Sequence, residues 1–193
     1  MTAAALPHET PLPGPAADLA ARIAAAIPVI ETARLRLRAP RLTDLPAWHE
    51  IFLGPSAPFL GGPFDRDDSF TDFAATVGLW LLRGHGVWAV EPRDGGATLG
   101  FVLVGFEPGD REPELGYLFT PAGEGRGYAT EAAQAARDWA LHSMHLPSLV
   151  SYVAPDNTRS QRLAARLGAV PDGCEQGSTV WRHAPQNASG RPA

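Results

Sequence analysis

Lysine does not occur in the 193-residue chain; all sixteen basic residues are arginine. That absence excludes chemistry built on a lysine amine, such as Schiff-base catalysis, a phosphate-binding P-loop or a pyridoxal-phosphate enzyme. Cysteine is nearly as scarce. Cys174 stands alone, so neither an internal disulfide framework nor a cysteine-built zinc site is available, and a reducing cytoplasm is the simplest setting. Positive charge is in deficit: a net charge of -5 and a pI near 5.6 provide no basic field for nucleic acid or an anionic membrane. No apolar run reaches the roughly 18 residues needed to span a bilayer. The first residues lack a positive n-region, and Asp18 and Arg22 break the alanine stretch, so no signal peptide is expected. The G-x-S-x-G elbow of serine hydrolases is also missing.

What is present is a globular composition, 45% hydrophobic and 19% charged, in a length suited to one domain that needs no disulfide or metal staple. Gly (20) and Pro (19) are abundant and predict many turns. Residues 1–17 read as a flexible Ala/Pro-rich tail, followed by a candidate short helix from Asp18 to about Ile27. This makes 1–29 an N-terminal extension, 30–183 the domain and 184–193 a loose C-terminal tail. Arg34-Leu35-Arg36-Leu37-Arg38 alternates as a half-buried strand does. Thr43 and Asp44 open a helix carrying Leu45, Trp48 and Phe52 on one face, and a second helix from Asp67 or Asp68 runs to Gly84. Strands over 87–91, 98–106 and 113–119 suggest an antiparallel meander. A helix over 129–142, a strand over 148–154, a helix over 157–167 and a strand over 178–183 complete a mixed α/β domain of six strands.

The informative stretch is Glu114-Leu115-Gly116-Tyr117-Leu118-Phe119, followed by Gly123-Glu124-Gly125-Arg126-Gly127-Tyr128-Ala129-Thr130-Glu131. A strand enters a loop with glycine at every second position, and a helix starts directly behind it. Glycine lets the backbone turn tightly and present successive N–H groups, and the first amides of a helix have no intrahelical partner. Together they make an anion cradle of the size of a pyrophosphate, to which Arg126 could add a charged fork. A glycine-rich turn ahead of a surface helix accounts for the local pattern equally well. A Rossmann fingerprint fits poorly, because Tyr128 stands where its last glycine belongs.

Residues 124–129 resemble the acyl-CoA pyrophosphate loop, Q/R-x-x-G-x-G/A, of the GNAT superfamily of N-acyltransferases, with Glu124 standing where Gln or Arg is usual. Asn157-Thr158-Arg159-Ser160 with Leu167-Gly168-Ala169 resembles the family's N-x-x-S-x-x-x-x-x-x-L-G-A/F segment. Glu31-Thr32-Ala33-Arg34-Leu35-Arg36-Leu37-Arg38 is similar to the first strand of its ribosomal-protein-alanine acetyltransferase branch. The resemblance covers about residues 30–183. It implies a mostly antiparallel sheet with a central splay between two parallel strands, 113–119 and 148–154, flanked by helices. It also implies acetyl transfer from acetyl-CoA to an amine, without a metal.

On the same resemblance, Leu118, Phe119 and Thr120 would pair with pantetheine like a strand edge, and the amides of Gly125, Arg126, Gly127, Tyr128, Ala129 and Thr130 would hold the pyrophosphate. Glu114 is the candidate general base and Ser160 the candidate acid for the thiolate, with Tyr117 and Tyr128 as alternatives. Asn157, counted with Glu114 and Ser160 in the catalytic set, would contact pantetheine or the substrate amide, and Asn157 and Ser160 both belong to the cofactor-binding set as well. For Glu114 a solvated strand-start carboxylate, and for Asn157 a plain helix cap, are the blander readings. Trp88, Phe59 and Phe64 are expected to help line the acceptor pocket. The acceptor is a small-molecule amine or a protein N-terminus, with no nucleic-acid or membrane partner; monomer and homodimer both remain open. A non-catalytic acyl-CoA sensor, or a loop binding some other nucleotide, would carry the same cradle.

Overall fold

In the computed structural model, residues 6–183 are described; the expected C-terminal tail at 184–193 and residues 1–5 lie outside them. Eight strands form one sheet: β1 (Ile30–Glu31), β2 (Leu35–Arg38), β3 (Val87–Pro92), β4 (Gly100–Gly105), β5 (Glu114–Phe119), β6 (Val150–Val153), β7 (Val170–Glu175) and β8 (Ser178–Arg182). Their order is β1-β2-β3-β4-β5-β6-β8-β7, antiparallel everywhere except between β5 and β6. The helices are α1 (Pro15–Ala24), α2 (Leu45–Phe52), α3 (Arg66–Arg83), α4 (Tyr128–Asp138) and α5 (Thr158–Arg166).

The sheet is covered on both faces, which is why β3 and β4 read as near-continuous apolar runs. Trp88, Val90, Val102, Val104 and Leu115 pack with Ala132, Ala133 and Ala136 of α4 and Leu163 of α5. Val87, Ala89 and Phe101 point the other way, against Leu45, Trp48 and Phe52 of α2 and Phe73 of α3. The alanines of α4 let that helix lie close to the sheet, which fixes where its N-terminus sits. Trp88 is fully buried, and its indole donates to the Pro28 carbonyl at 2.8 Å. It is therefore core, and the acceptor-pocket role expected for it is withdrawn.

Two strands escaped the sequence reading. β1 is two residues long, and β7 carries Pro171, Asp172 and Gly173 with a register shift between Pro171 and Cys174. An exposed, bulged edge strand has neither alternation nor an apolar run to betray it. The helix expected over 129–142 ends as an α-helix at Asp138 and continues as a π-helical turn, Trp139–Ser143.

The N-terminal segment departs from the expected flexible tail. Pro7–Glu9 form a 3-10 turn, and α1 starts at Pro15. Glu9 is 6% exposed and accepts from Arg66 of α3 at 2.7 and 2.5 Å and from the Leu6 amide at 2.8 Å; His49 of α2 lies 3.2 Å away. Arg66 chiefly, with the Leu6 amide and His49, holds the Glu9 carboxyl down to about 2 against the opposing effect of burial. Its contribution to stability is therefore present above the ordinary carboxylate value and is lost as pH falls toward 2. Replacing Glu9 by Ala removes one partner of a largely enclosed pair, at a cost of about 1–2 kcal/mol. The expected result is a Tm lower by roughly 3–8 °C at pH 7, with the difference shrinking at pH 3. Thermal unfolding of the two proteins at both pH values checks it.

Candidate active site

The two parallel strands barely pair. Glu114 of β5 lies opposite Val150 of β6, and the Val150 amide donates to the Pro113 carbonyl at 3.0 Å. Beyond that point side chains replace the backbone ladder. The Ser151 hydroxyl donates to the Leu115 carbonyl at 2.6 Å, and the Glu114 carboxylate accepts from the Tyr152 amide at 3.3 Å. Ser151 has its proton committed to Leu115, so the Nε2 of buried His183, 3.0 Å away, is the donor to Ser151 Oγ. Burial first, and the charge of Arg137 second, push that imidazole down to about 4 and keep it neutral. From Leu115 onward the strands part, leaving the β6-facing edge of Leu118 and Phe119 without a backbone partner among the described residues while the other edge pairs with β4.

The loop behind β5 turns on two left-handed glycines, Gly125 at φ 73° and Gly127 at φ 77°. Among the described residues no acceptor is bonded to the amides of Gly125, Arg126, Gly127, Tyr128, Ala129 or Thr130. Six consecutive donors at the positive end of an 11-residue helix form an anion cradle in geometry as well as in sequence. A residue far away in sequence fastens the loop. Arg34, between β1 and β2, donates to Glu131 of α4 at 2.7 Å and to the Arg126 carbonyl at 3.1 Å, and its guanidinium lies 4.7 Å from the centre of the Tyr128 ring. Thr32 donates to the same Glu131 at 2.6 Å.

A crevice of about 990 Å³ runs from this cradle along β5 between α4 and α5. Leu118, Phe119, Gly125, Gly127, Ala129, Thr130, Asn157 and Ser160 all line it, as the sequence reading placed them. Phe59 lines it too, whereas Phe64 packs on Phe52. Asn157 caps α5, accepting from the Ser160 amide at 3.1 Å, and its side-chain NH2 remains available to the crevice. The Tyr117 hydroxyl donates to the Ser160 carbonyl at 3.0 Å, and burial, with the nearby Glu114, raises this phenol above its ordinary value.

Four expected residues sit elsewhere. Thr120 is 2% exposed; its amide and hydroxyl both donate to the Leu99 carbonyl, so it cannot serve as a free strand edge. Arg126 and Tyr128 do not line the crevice with their side chains; Arg126 is exposed and Tyr128 lies under Arg34. Glu114 is not on the crevice wall either. By strand parity it shares the α2/α3 face with Leu118, and it occupies the gap between β5 and β6. Burial there, reinforced by the charges of Glu107 and Asp110, pushes its carboxyl up to about 8, against the Tyr152 amide, which favours the ionised form.

The sequence reading missed Arg159, Arg162 and Arg166. They line the crevice from α5 at i, i+3 and i+7, a helical stripe that the spacing alone could have shown. The wall's three acids are each neutralised locally: Glu131 by Arg34, Asp138 by Arg137 and Glu124 by Arg159. Arg162 and Arg166 have no ion-pair partner among the described residues, so the wall carries net positive charge. These residues also offer no group of three or more potential metal ligands and no helix long and apolar enough to cross a membrane.

Residues 34–170 match the family model described as an acetyltransferase (GNAT) domain. An uncharacterized N-acetyltransferase of Bacillus subtilis, YnaD, is 30% identical over 42% of this chain and 48% of its own. The uncharacterized protein YkkB of the same organism is 33% identical over 45% and 52%. The chain thus matches only about half the length of these curated relatives. Among solved structures, an acetyltransferase from Agrobacterium tumefaciens is 36% identical, covers 82% of this chain and 95% of that one, and superposes with a TM-score of 0.77. RimL, a ribosomal L7/L12 α-N-protein acetyltransferase solved in complex with coenzyme A, shares the fold at 18% identity and a TM-score of 0.65, covering 82% and 98%. With the matching model spanning most of the domain and the splayed sheet and amide cradle in place, the chain belongs to the GNAT acetyltransferase family.

Proposed function

We propose that this protein transfers an acetyl group from acetyl-CoA to a primary amine by direct attack in a ternary complex. The observation that carries the reading is the continuity of one crevice from the loop and helix start at Gly125, Gly127, Ala129 and Thr130, whose amides have no acceptor among the described residues, to the edge of Leu118 and Phe119 suited to pantetheine. The residues fit the group: positive-φ glycines keep side chains out of the cradle, and the α5 arginines add charge opposite it. The edge of Leu118 and Phe119 would take the pantetheine amides, and the Asn157 side-chain NH2 a carbonyl along the same path.

Glu114, in the strand gap and off the crevice wall, accepts the proton of the attacking amine through water. Its elevated pKa matches it to that task near neutral pH, where a carboxyl at the ordinary value would be too weak a base. Ser160 lines the crevice, and its hydroxyl, which has no hydrogen-bond partner among the described residues, gives its proton to the departing thiolate and regains one from solvent, to which Glu114 releases the proton taken from the amine. The Tyr117 proton is already given to the Ser160 carbonyl. The acceptor is a small-molecule amine or a protein N-terminal α-amine, the latter being the substrate class of RimL.

The test is CoA thiol release from acetyl-CoA against a panel of primary amines and N-terminal peptides. Release above the amine-free background with at least one acceptor is expected; none with any would contradict the reading. Within that assay, Ser160→Ala should lower kcat about 100-fold, the low end for a lost general acid because a thiolate leaves readily. Tyr117→Phe should change kcat by less than about tenfold. The reverse ranking would make Tyr117 the acid.

A further inference from the structure

An acid beside an anion cradle repels the ligand the cradle is built for, and Glu124 directly precedes Gly125. The structure supplies a counterpart. Glu124 Oε1 lies 2.8 Å from Nη2 of Arg159, in the first turn of α5, and both side chains line the crevice. The pair spans the crevice mouth from the glycine loop to the opposite wall. One nitrogen of the guanidinium engages Glu124, and the Nε and Nη1 donors have no partner among the described residues. A planar fork with donors on two edges can hold a carboxylate on one side and a phosphate on the other. Arg159 is 67% exposed at its side chain, so it is free to make that small rotation.

We infer that Arg159 is a phosphate-binding residue of the crevice and that Glu124 is its positioning residue, parking the guanidinium at the cradle. The inference rests on the acetyl-CoA reading and adds to it which side chain reaches the phosphates. Glu124 would then act only through Arg159. It is neutralised while the guanidinium is present and harmful to binding when the guanidinium is removed.

That dependence gives a double-mutant signature. CoA affinity would be measured by calorimetry for wild type, Glu124→Gln, Arg159→Ala and the double variant at two salt concentrations, with each protein's Tm as a folding control. Arg159→Ala is expected to weaken CoA about 10- to 100-fold, since it loses a charged hydrogen bond and unmasks Glu124. Glu124→Gln, which still accepts from Arg159, should stay within about threefold of wild type. The double variant should recover to within about tenfold of wild type, and Arg159→Ala should show a flatter salt dependence than wild type. Arg159→Ala binding within twofold of wild type would overturn the inference. So would a loss from Arg159→Ala that is the same whether or not Glu124→Gln is also present. Failure of folded wild-type protein to bind CoA at all would instead overturn the acetyl-CoA reading itself, and the inference with it.

Discussion

Glu114→Gln is expected to lower kcat by about 10²- to 10⁴-fold while leaving CoA affinity within about threefold of wild type, because the variant removes the proton acceptor without altering a residue of the crevice wall. The Gln side chain can still accept from the Tyr152 amide, so the parting of β5 and β6 should survive. In wild type, kcat/KM should rise with pH through the region near 8, as burial and the charges of Glu107 and Asp110 delay ionisation of Glu114. In the Gln variant that limb should vanish from the residual rate. Glu107→Gln and Asp110→Asn each withdraw a neighbouring negative charge and should move the limb to lower pH. Stability follows the same linkage. A carboxyl whose folded pKa lies above its unfolded value costs nothing below that value and penalises folding increasingly as pH rises toward 8. Glu114→Gln should therefore be more stable than wild type at pH 9 and equal to it at pH 4. Unchanged turnover in this variant would remove Glu114 from the mechanism.

Gly127→Asp should abolish CoA binding at a small cost in stability. At position 127, the N-cap of α4, an added Cβ meets only the Nη2 of Arg34 at 3.5 Å. The left-handed backbone at φ 77° costs aspartate about 1 kcal/mol. Tm should therefore fall by no more than roughly 4 °C. The new carboxylate, however, occupies the donors meant for a phosphate and repels it. Two lost charged hydrogen bonds alone amount to about 3 kcal/mol, more than a hundredfold in Kd. A folded Gly127→Asp protein that still binds CoA with near-wild-type affinity would show that the cradle is not where the phosphates sit.

The motifs made the glycine loop and the family legible, since a glycine loop leading into a helix is local chemistry and its amides are left without acceptors for local reasons. The central strands were legible because a doubly covered sheet writes continuous apolar runs. The fastening of the loop was not: Arg34 and Glu131 lie 97 residues apart, and only the folded sheet brings β1 and β2 alongside α4. Glu9 was missed for a similar reason. A proline-rich segment has no periodicity, and its anchor is one carboxylate meeting Arg66, which lies 57 residues on. Thr120 was misplaced because a strand-end residue reads as a free edge until the Leu99 carbonyl is seen beneath it. Glu114 was singled out as the candidate base, but its place in the strand gap, away from the crevice wall, depends on how few bonds join β5 to β6.

The central claim is that the crevice is shaped for a CoA thioester and not for nucleotides in general, and thermal unfolding of the wild-type protein with acetyl-CoA, CoA, NAD and ATP in parallel tests it most directly. A ligand at about 100 times its Kd adds about 2.7 kcal/mol, or roughly 5–10 °C in Tm for a chain of this length. That rise is expected with acetyl-CoA and CoA, and little with NAD or ATP. No rise with either CoA species at millimolar concentration, or an equal rise with all four ligands, would contradict it.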